Sequence, residues 1–246
     1  MKDEFIMGRH PVSEALQSGR EINKVWINKQ SQLSAAILGK IKERNITVQY
    51  VPKKKLDQLV GSEHHQGIVA SIAAYQYAEI DELFQLADKK GEQPFFIMLD
   101  GVEDPHNLGS VLRTADAVGA HGVIIPKRRA AGLTSTVAKA STGAIEYIPV
   151  ARVTNLARTM DELKERGIWF AGTAAEASTD YRQMSCEMPI CLVIGNEGKG
   201  MSRLTREKCD FLVHIPMAGR VTSLNASVAA GLLMYEVYRK RHLQGD

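Results

Sequence analysis

The stretch Pro189-Ile190-Cys191-Leu192-Val193-Ile194-Gly195-Asn196-Glu197-Gly198-Lys199-Gly200-Met201-Ser202 decides the fold. Ile190–Ile194 is an apolar run of strand length, rich in β-branched side chains, and Gly195 ends it abruptly. The loop that follows sets glycines among Asn196, Glu197 and Lys199, so main-chain N–H groups can approach a ligand while three polar side chains stay beside it. Loops at the carboxyl ends of strands are where open α/β sheets bind ligands.

Working outward, Phe211–Ile215 reads as a second short strand. Pro216-Met217-Ala218-Gly219 turns it into Thr222-Ser223-Leu224-Asn225, residues that can cap a helix. From Ala226 a helical pattern runs to Tyr238 and closes on Arg239, Lys240 and Arg241, cations suited to a helix C-terminus. Two strand-to-loop corners with polar side chains make a small-molecule site, or else two ordinary turns. A Walker loop is excluded because Gly200 is followed by Met201, and no Gly-x-Gly-x-x-Gly follows a strand, so ATP hydrolysis and dinucleotide binding are disfavoured.

Upstream, Phe95–Leu99 reads as a buried strand ended by Asp100-Gly101. Leu108–Gly119 follows as a helix capped by Asn107 or a neighbour, with Val111, Leu112, Ala115 and Val118 on one face and Arg113 off it. If this strand and Ile190–Ile194 are neighbours, Arg113 can look into the corner of Gly195–Gly200. The chain continues through a strand at His121–Pro126, the basic turn Lys127-Arg128-Arg129, a strand-like Tyr147–Val150, a helix over Asn155–Arg166, a strand over Ile168–Gly172 and the loop Thr173-Ala174-Ala175-Glu176. Strands alternating with helices predict a parallel sheet with helices on both faces. Lys127, Arg128 and Arg129 are either a phosphate contact or a solvated turn.

The first part of the chain alternates differently: helix at Pro11–Gly19, strand at Lys24–Asn28, helix at Ser34–Arg44, strand at Thr47–Val51, helix at Lys53–Val60, strand at Gly67–Ala74. We read residues 1–75 as a small α/β domain, 76–93 as a polar linker able to hold a short helix, and 94–246 as a second α/β domain. The 246 residues are 44% hydrophobic, enough to bury a sizeable core, and carry a formal charge of +3, which permits a nucleic-acid partner without demanding one. No membrane span or secretory leader is visible, so the cytoplasm is the expected compartment. Cys186, Cys191 and Cys209 lack metal-like or C-x-x-C spacing, so neither zinc nor disulfides are expected.

Three segments, Leu99–Gly119, Val193–Ser202 and Ile215–Ala229, resemble in order and spacing the three motifs of the SpoU or TrmH family of RNA ribose 2′-O-methyltransferases. Gly8-Arg9-His10-Pro11-Val12-Ser13-Glu14-Ala15-Leu16 resembles the opening of that family's substrate-binding domain, so the likeness spans nearly the whole chain. It is strongest to the subgroup acting on a guanosine of 23S ribosomal RNA. The resemblance implies an N-terminal RNA-binding domain like ribosomal protein L30e and a C-terminal catalytic domain of the SPOUT fold, with a parallel sheet, a trefoil knot and a homodimer. It implies S-adenosylmethionine as cofactor and structured RNA as substrate, ribosomal or transfer. By the same resemblance Asn107, Arg113, Glu197, Ser223 and Asn225 are catalytic; Thr173, Gly195, Asn196, Ile215, Pro216, Met217 and Leu224 surround the cofactor; Arg9 joins Lys127, Arg128 and Arg129 as an RNA contact. A guanidinium keeps its proton at ordinary pH, so Arg113 is expected to bind phosphate and stabilise an oxyanion, not to act as a base. The rival reading is a non-catalytic RNA-binding or ribosome-assembly factor.

Overall fold

The computed structural model describes residues 4–18, 20, 22–72 and 75–242. Gly19, Ala73 and Ala74, which end an expected helix and an expected strand, lie outside them. The chain divides into two compact units, one formed by residues 1–76 with 133–147 and the other by 77–132 with 148–246.

In the first unit β1 (Glu4–Met7), α1 (Arg9–Gln17), β2 (Ile22–Asn28), α2 (Ala35–Glu43), β3 (Val48–Val51), α3 (Lys53–Val60) and β4 (Ile68–Ile72) follow in order. The four strands make a mixed sheet β1-β4-β2-β3, parallel only between β2 and β3. Val12 and Leu16 of α1 and Ile37 and Ile41 of α2 pack with Ile6, Val25, Ile27 and Ile68 on one face, while Leu56 of α3 meets Val51 and Val69 on the other. Ser34 caps α2 through the Ile37 N–H, and Gly61 ends α3 at φ 62°, a left-handed conformation that suits glycine.

The second unit begins with α4 (Ile80–Lys90) inside the segment read as a linker. Glu79 and Glu82 form a capping box at its start, and Leu83 and Ala87 are fully buried. Then come β5 (Phe95–Asp100), α5 (Pro105–Ala117) and β6 (Gly122–Pro126). Asp104, a neighbour of Asn107, caps α5 by accepting the His106 N–H at 2.8 Å.

The next piece, α6 (Ser135–Ala140) and the 3-10 turn Ala144–Glu146, belongs with the first unit. Glu146 makes an ion pair with Arg20 at 2.9 Å, both side chains being 8% exposed, and Ser18 donates to the same carboxylate. Burial raises the Glu146 pKa, with Arg20 opposing that shift. Residues 133–147 therefore divide the span 94–246, because a buried carboxylate needs a cation and the cation lies at position 20.

The remaining elements are β7 (Val150–Val153), α7 (Leu156–Glu165), β8 (Trp169–Thr173), β9 (Thr179–Asp180), β10 (Ile190–Gly195), α8 (Arg203–Glu207), β11 (Phe211–His214) and α9 (Ala226–Arg241). The strand expected at Tyr147–Val150 is instead Val150–Val153: Tyr147 leaves a 3-10 turn and turns its hydroxyl to Glu14, and Pro149 has no N–H to give a ladder.

Seven parallel strands form the sheet β7-β6-β5-β10-β8-β11-β9. Phe96, Met98, Phe170, Cys191 and Val193 meet α4 and α7 on one face. Residues of opposite parity, Ile97, Leu99, Leu192 and Ile194, are equally buried, and α9 packs against β10 and α5. The chain runs from β5 outward through β6 and β7, then returns to build the other half beyond β10. The reversal falls between β5 and β10, and at such a point the loops at the carboxyl ends diverge and leave a crevice.

Candidate active site

β5 and β10 are in register from Ile190 opposite Phe95 to Gly195 opposite Asp100, so the loops after the two strands leave the sheet side by side. Two hydrogen bonds tie them: the Asn196 amide donates to the Gly101 carbonyl at 3.1 Å, and the Ser202 N–H donates to the Asp100 carboxylate at 2.7 Å. Within the second loop, Asn196 and Gly200 exchange backbone bonds at 3.1 and 2.8 Å. The Asn196 side-chain oxygen accepts the N–H groups of Gly198 and Lys199, which closes the loop on itself. Only glycine fits at 195: an added Cβ would stand 2.3 Å from the Gly200 carbonyl carbon and from the Met201 nitrogen.

Glu197 is the hub of the corner. One of its oxygens accepts from the Asn107 amide, from the Asn225 amide at 3.3 Å and from the Ala226 N–H at 3.3 Å. The Asn225 amide also donates to the Asn107 side-chain oxygen at 2.9 Å. Residues 107, 197 and 225 come from the three motif segments and meet as one network. Asn225 serves twice, since its side-chain oxygen caps α9 by accepting the Ser227 and Val228 N–H groups. The positive end of α9 therefore faces the Glu197 carboxylate, a favourable pairing. Glu197 thus orients two asparagines and a helix.

Over the carboxyl ends of β10, β8 and β11 lies a cavity of about 890 Å³. Thr173, Gly195, Asn196, Ile215, Pro216, Met217 and Leu224 all line it, as do Glu197 and Ser223. Asn107 and Asn225 reach it only through Glu197. Ser223 makes no cap and is exposed. Arg113 is exposed on α5, outside the cavity lining, and no hydrogen bond or ion pair engages it among the described residues. Lys127, Arg128 and Arg129 are exposed at the end of β6, on the same edge of the sheet. Arg9 stands in the first unit, where its N–H donates to the Gln66 side chain at 3.0 Å.

Among the lining residues outside the motif segments, three carry ionisable side chains: Glu176, Arg206 and His214. Glu176 follows a strand end and so was placed in a loop by the sequence; the position of Arg206 depends on where α8 packs. The Nδ1 atom of His214 is buried without a hydrogen-bond partner among the described residues. Among the described residues no cluster of His, Cys, Asp and Glu is arranged to hold a metal ion, and no helix is long and apolar enough to cross a membrane.

The chain is similar to known proteins. The SpoU rRNA Methylase family model matches residues 94–235, more than half of the chain. The chain belongs to that family. A second family, RNA 2′-O ribose methyltransferase substrate binding, matches residues 5–78. YacO of Bacillus subtilis (strain 168), named for the TrmH family of tRNA/rRNA methyltransferases, is 62% identical over 99% of this chain and 98% of its own. A protein of Staphylococcus haemolyticus (strain JCSC1435) with the same family name is 58% identical over 100% of this chain and 99% of its own. Among solved structures, the SpoU methyltransferase AviRb of Streptomyces viridochromogenes in complex with AdoMet superposes with a TM-score of 0.85 at 29% identity, covering 99% of this chain and 92% of that one. An AdoMet-bound rRNA methyltransferase of Sinorhizobium meliloti gives 0.79 at 26% identity, covering 98% and 88%. As a member of the SpoU family the chain is a methyltransferase with a parallel-sheet α/β catalytic unit.

Proposed function

We propose that the protein transfers a methyl group from S-adenosylmethionine to a ribose 2′-hydroxyl of structured RNA, with a guanosine of 23S ribosomal RNA as substrate. The observation that carries this reading is the joining of Asn107, Glu197 and Asn225 beneath the cavity, because a mere binding module has no use for three polar side chains from three separate segments locked against one another.

The residues present fit the donor. The cavity volume lies within the range of small-molecule sites, roughly 300–1,000 Å³. The unpartnered Nδ1 of His214 in its wall is a polar atom that awaits a ligand or water, since buried polar groups are normally paired. Thr173, Gly195, Asn196, Ile215, Pro216, Met217 and Leu224 would hold the adenosyl part, largely through main-chain groups. When bound, the donor supplies an electrophilic methyl on a sulfonium.

The rest belongs to this chain. The 2′-oxygen forms its bond to the methyl carbon as the carbon–sulfur bond breaks, and the hydroxyl proton leaves to phosphate or water. Arg113, exposed on α5, is available to the acceptor side, where its guanidinium binds the adjacent phosphate and stabilises the charge developing on oxygen. Ser223, exposed at the cavity wall, faces the same exchange. The Asn107–Glu197–Asn225 network fixes the loops so that donor and acceptor meet in line, and alignment supplies most of the rate. Lys127, Arg128 and Arg129 extend the positive surface along which RNA lies, and Arg9 serves in the substrate-binding unit. A cytoplasmic location agrees with such a substrate.

Two copies form the working enzyme. Val228, Leu232, Tyr235 and Tyr238 make an exposed apolar stripe along α9 at helical spacing, a face suited to a second copy. The trefoil knot is part of the same proposal. A transfer-RNA substrate is the second reading, and the tRNA/rRNA wording in the relatives' names favours keeping it.

The test is methyl transfer from labelled S-adenosylmethionine to 23S ribosomal RNA and to transfer RNA, each prepared without modifications. The product nucleotide is then mapped by its resistance to alkaline cleavage. A single resistant guanosine in 23S ribosomal RNA is expected; label on a base, or none on either RNA, would refute the reading.

A further inference from the structure

The cavity holds two charged side chains that the reaction above does not use. Glu176, in the loop after β8, and Arg206, on α8, both line it and form an ion pair with each other. They come from two different elements. Their side chains remain 59% and 43% exposed, so the pair can be rearranged at small cost.

Of the other charged liners, Glu197 has an oxygen engaged by Asn107, Asn225 and the Ala226 N–H, and Lys199 stands exposed on the turn that Asn196 closes, bonded there through its backbone N–H. Arg206 and Glu176 are the cation and carboxylate that stand paired at the cavity. A lone arginine there would suit a phosphate; a guanidinium paired with a carboxylate repels an extended anion and complements a zwitterion.

We propose that Arg206 and Glu176 read the amino-acid end of the methyl donor, Arg206 receiving its α-carboxylate and Glu176 its α-ammonium. The proposal rests on the donor reading given above. Binding replaces one ion pair by an alternating set of four charges. The guanidinium presents two parallel N–H groups to the carboxylate, a geometry that lysine does not reproduce. Selection against adenine nucleotides follows, since a triphosphate in the same place would meet Glu176.

Isothermal titration separates this from its rivals. The intact protein, Arg206→Gln, Glu176→Gln and Arg206→Lys are each titrated with S-adenosylmethionine, S-adenosylhomocysteine and 5′-methylthioadenosine, which lacks the amino-acid end. Arg206→Gln is expected to weaken both full-length ligands about 10-fold, the loss of one partly screened charge-assisted bond, and to leave 5′-methylthioadenosine within about twofold. Glu176→Gln should give a smaller loss with the same selectivity, and Arg206→Lys an intermediate one. Unchanged 5′-methylthioadenosine binding also reports that the cavity is still folded. An equal loss for all three ligands would make the pair a clasp across the cavity and overturn the assignment, as would no loss for any. Failure of the intact protein to bind either S-adenosylmethionine or 5′-methylthioadenosine would instead overturn the donor reading, and this proposal with it.

Discussion

The two edges of the seven-stranded sheet use polar groups in opposite ways. At the amino edge, the Arg241 guanidinium donates to the carbonyls of Cys186, Gln93, Pro94 and Met188, at 2.8, 2.7, 3.2 and 2.8 Å, and so locks the end of α9 to the segments entering β5 and β10. His121 is wholly buried there, accepting the Phe95 N–H on Nδ1 at 3.0 Å and facing Glu92 through Nε2 at 3.0 Å. These groups saturate one another and close the edge. At the carboxyl edge, Glu197, Asn107 and Asn225 also bond to one another, but they do so as a floor beneath an open cavity, and the charges around it stay exposed. A polar group that closes a fold and one that prepares a site are told apart by what remains accessible once its hydrogen bonds are made.

If that contrast is right, substitutions at the two edges should separate activity from stability. The largest effect is expected at Arg113: replacement by Ala should lower turnover about 10³-fold, in the range found on removing one group that stabilises a developing oxyanion. Binding of S-adenosylmethionine, followed by titration, should stay within about twofold, and Arg113→Lys should recover only part of the rate. Full activity in Arg113→Lys would break the bidentate role.

Arg241→Met tests the other edge. It leaves four carbonyls without their donor, and urea denaturation should show a loss of about 3 kcal/mol, while donor affinity of the folded protein stays the same. A change in affinity without one in stability would erase the distinction between the edges.

Gly195→Ala falls between the two. Its Cβ must push the Gly200–Met201 backbone aside, so donor affinity should drop about tenfold, with a stability loss of about 1–3 kcal/mol from overpacking.

The smallest effect is a pH slope. Burial holds the His121 pKa below its ordinary 6.5, against the pull of the hydrogen bond to Glu92. Nδ1 already accepts the Phe95 N–H, so the neutral ring carries its proton on Nε2. The unfolded chain takes up a proton near pH 6.5 that the folded ring refuses, so His121 contributes stability that is present above that pH and lost as pH falls. Unfolding free energy should drop by about 1 kcal/mol between pH 7.5 and 5.5, and His121→Gln should flatten the slope.

How much of this could be read from residues differs between fold and site. Ile190–Ile194 and Phe95–Leu99 declared themselves as buried strands because both of their faces are covered, which leaves no polar position in the run. The ends were less legible. Asp104, not Asn107, caps α5, since both residue types accept backbone N–H groups and only the turn geometry decides between them. Residues 133–147 were unreadable as part of the first unit, because the partner of Glu146 stands 126 positions away in sequence.

The sequence by itself determined the strand and helix order, the glycine-bound loop at 195–200 and the residues brought to the cavity wall by that order, because these follow from local periodicity and from which residues tolerate a tight turn. Only the tertiary structure decided that Glu197 faces Asn107 and Asn225 while Arg113 stands apart on the surface, and that Glu176 pairs with Arg206. Those are meetings between elements, fixed by the adjacency of β5, β10 and β8 in the sheet, and no local pattern encodes which strands become neighbours.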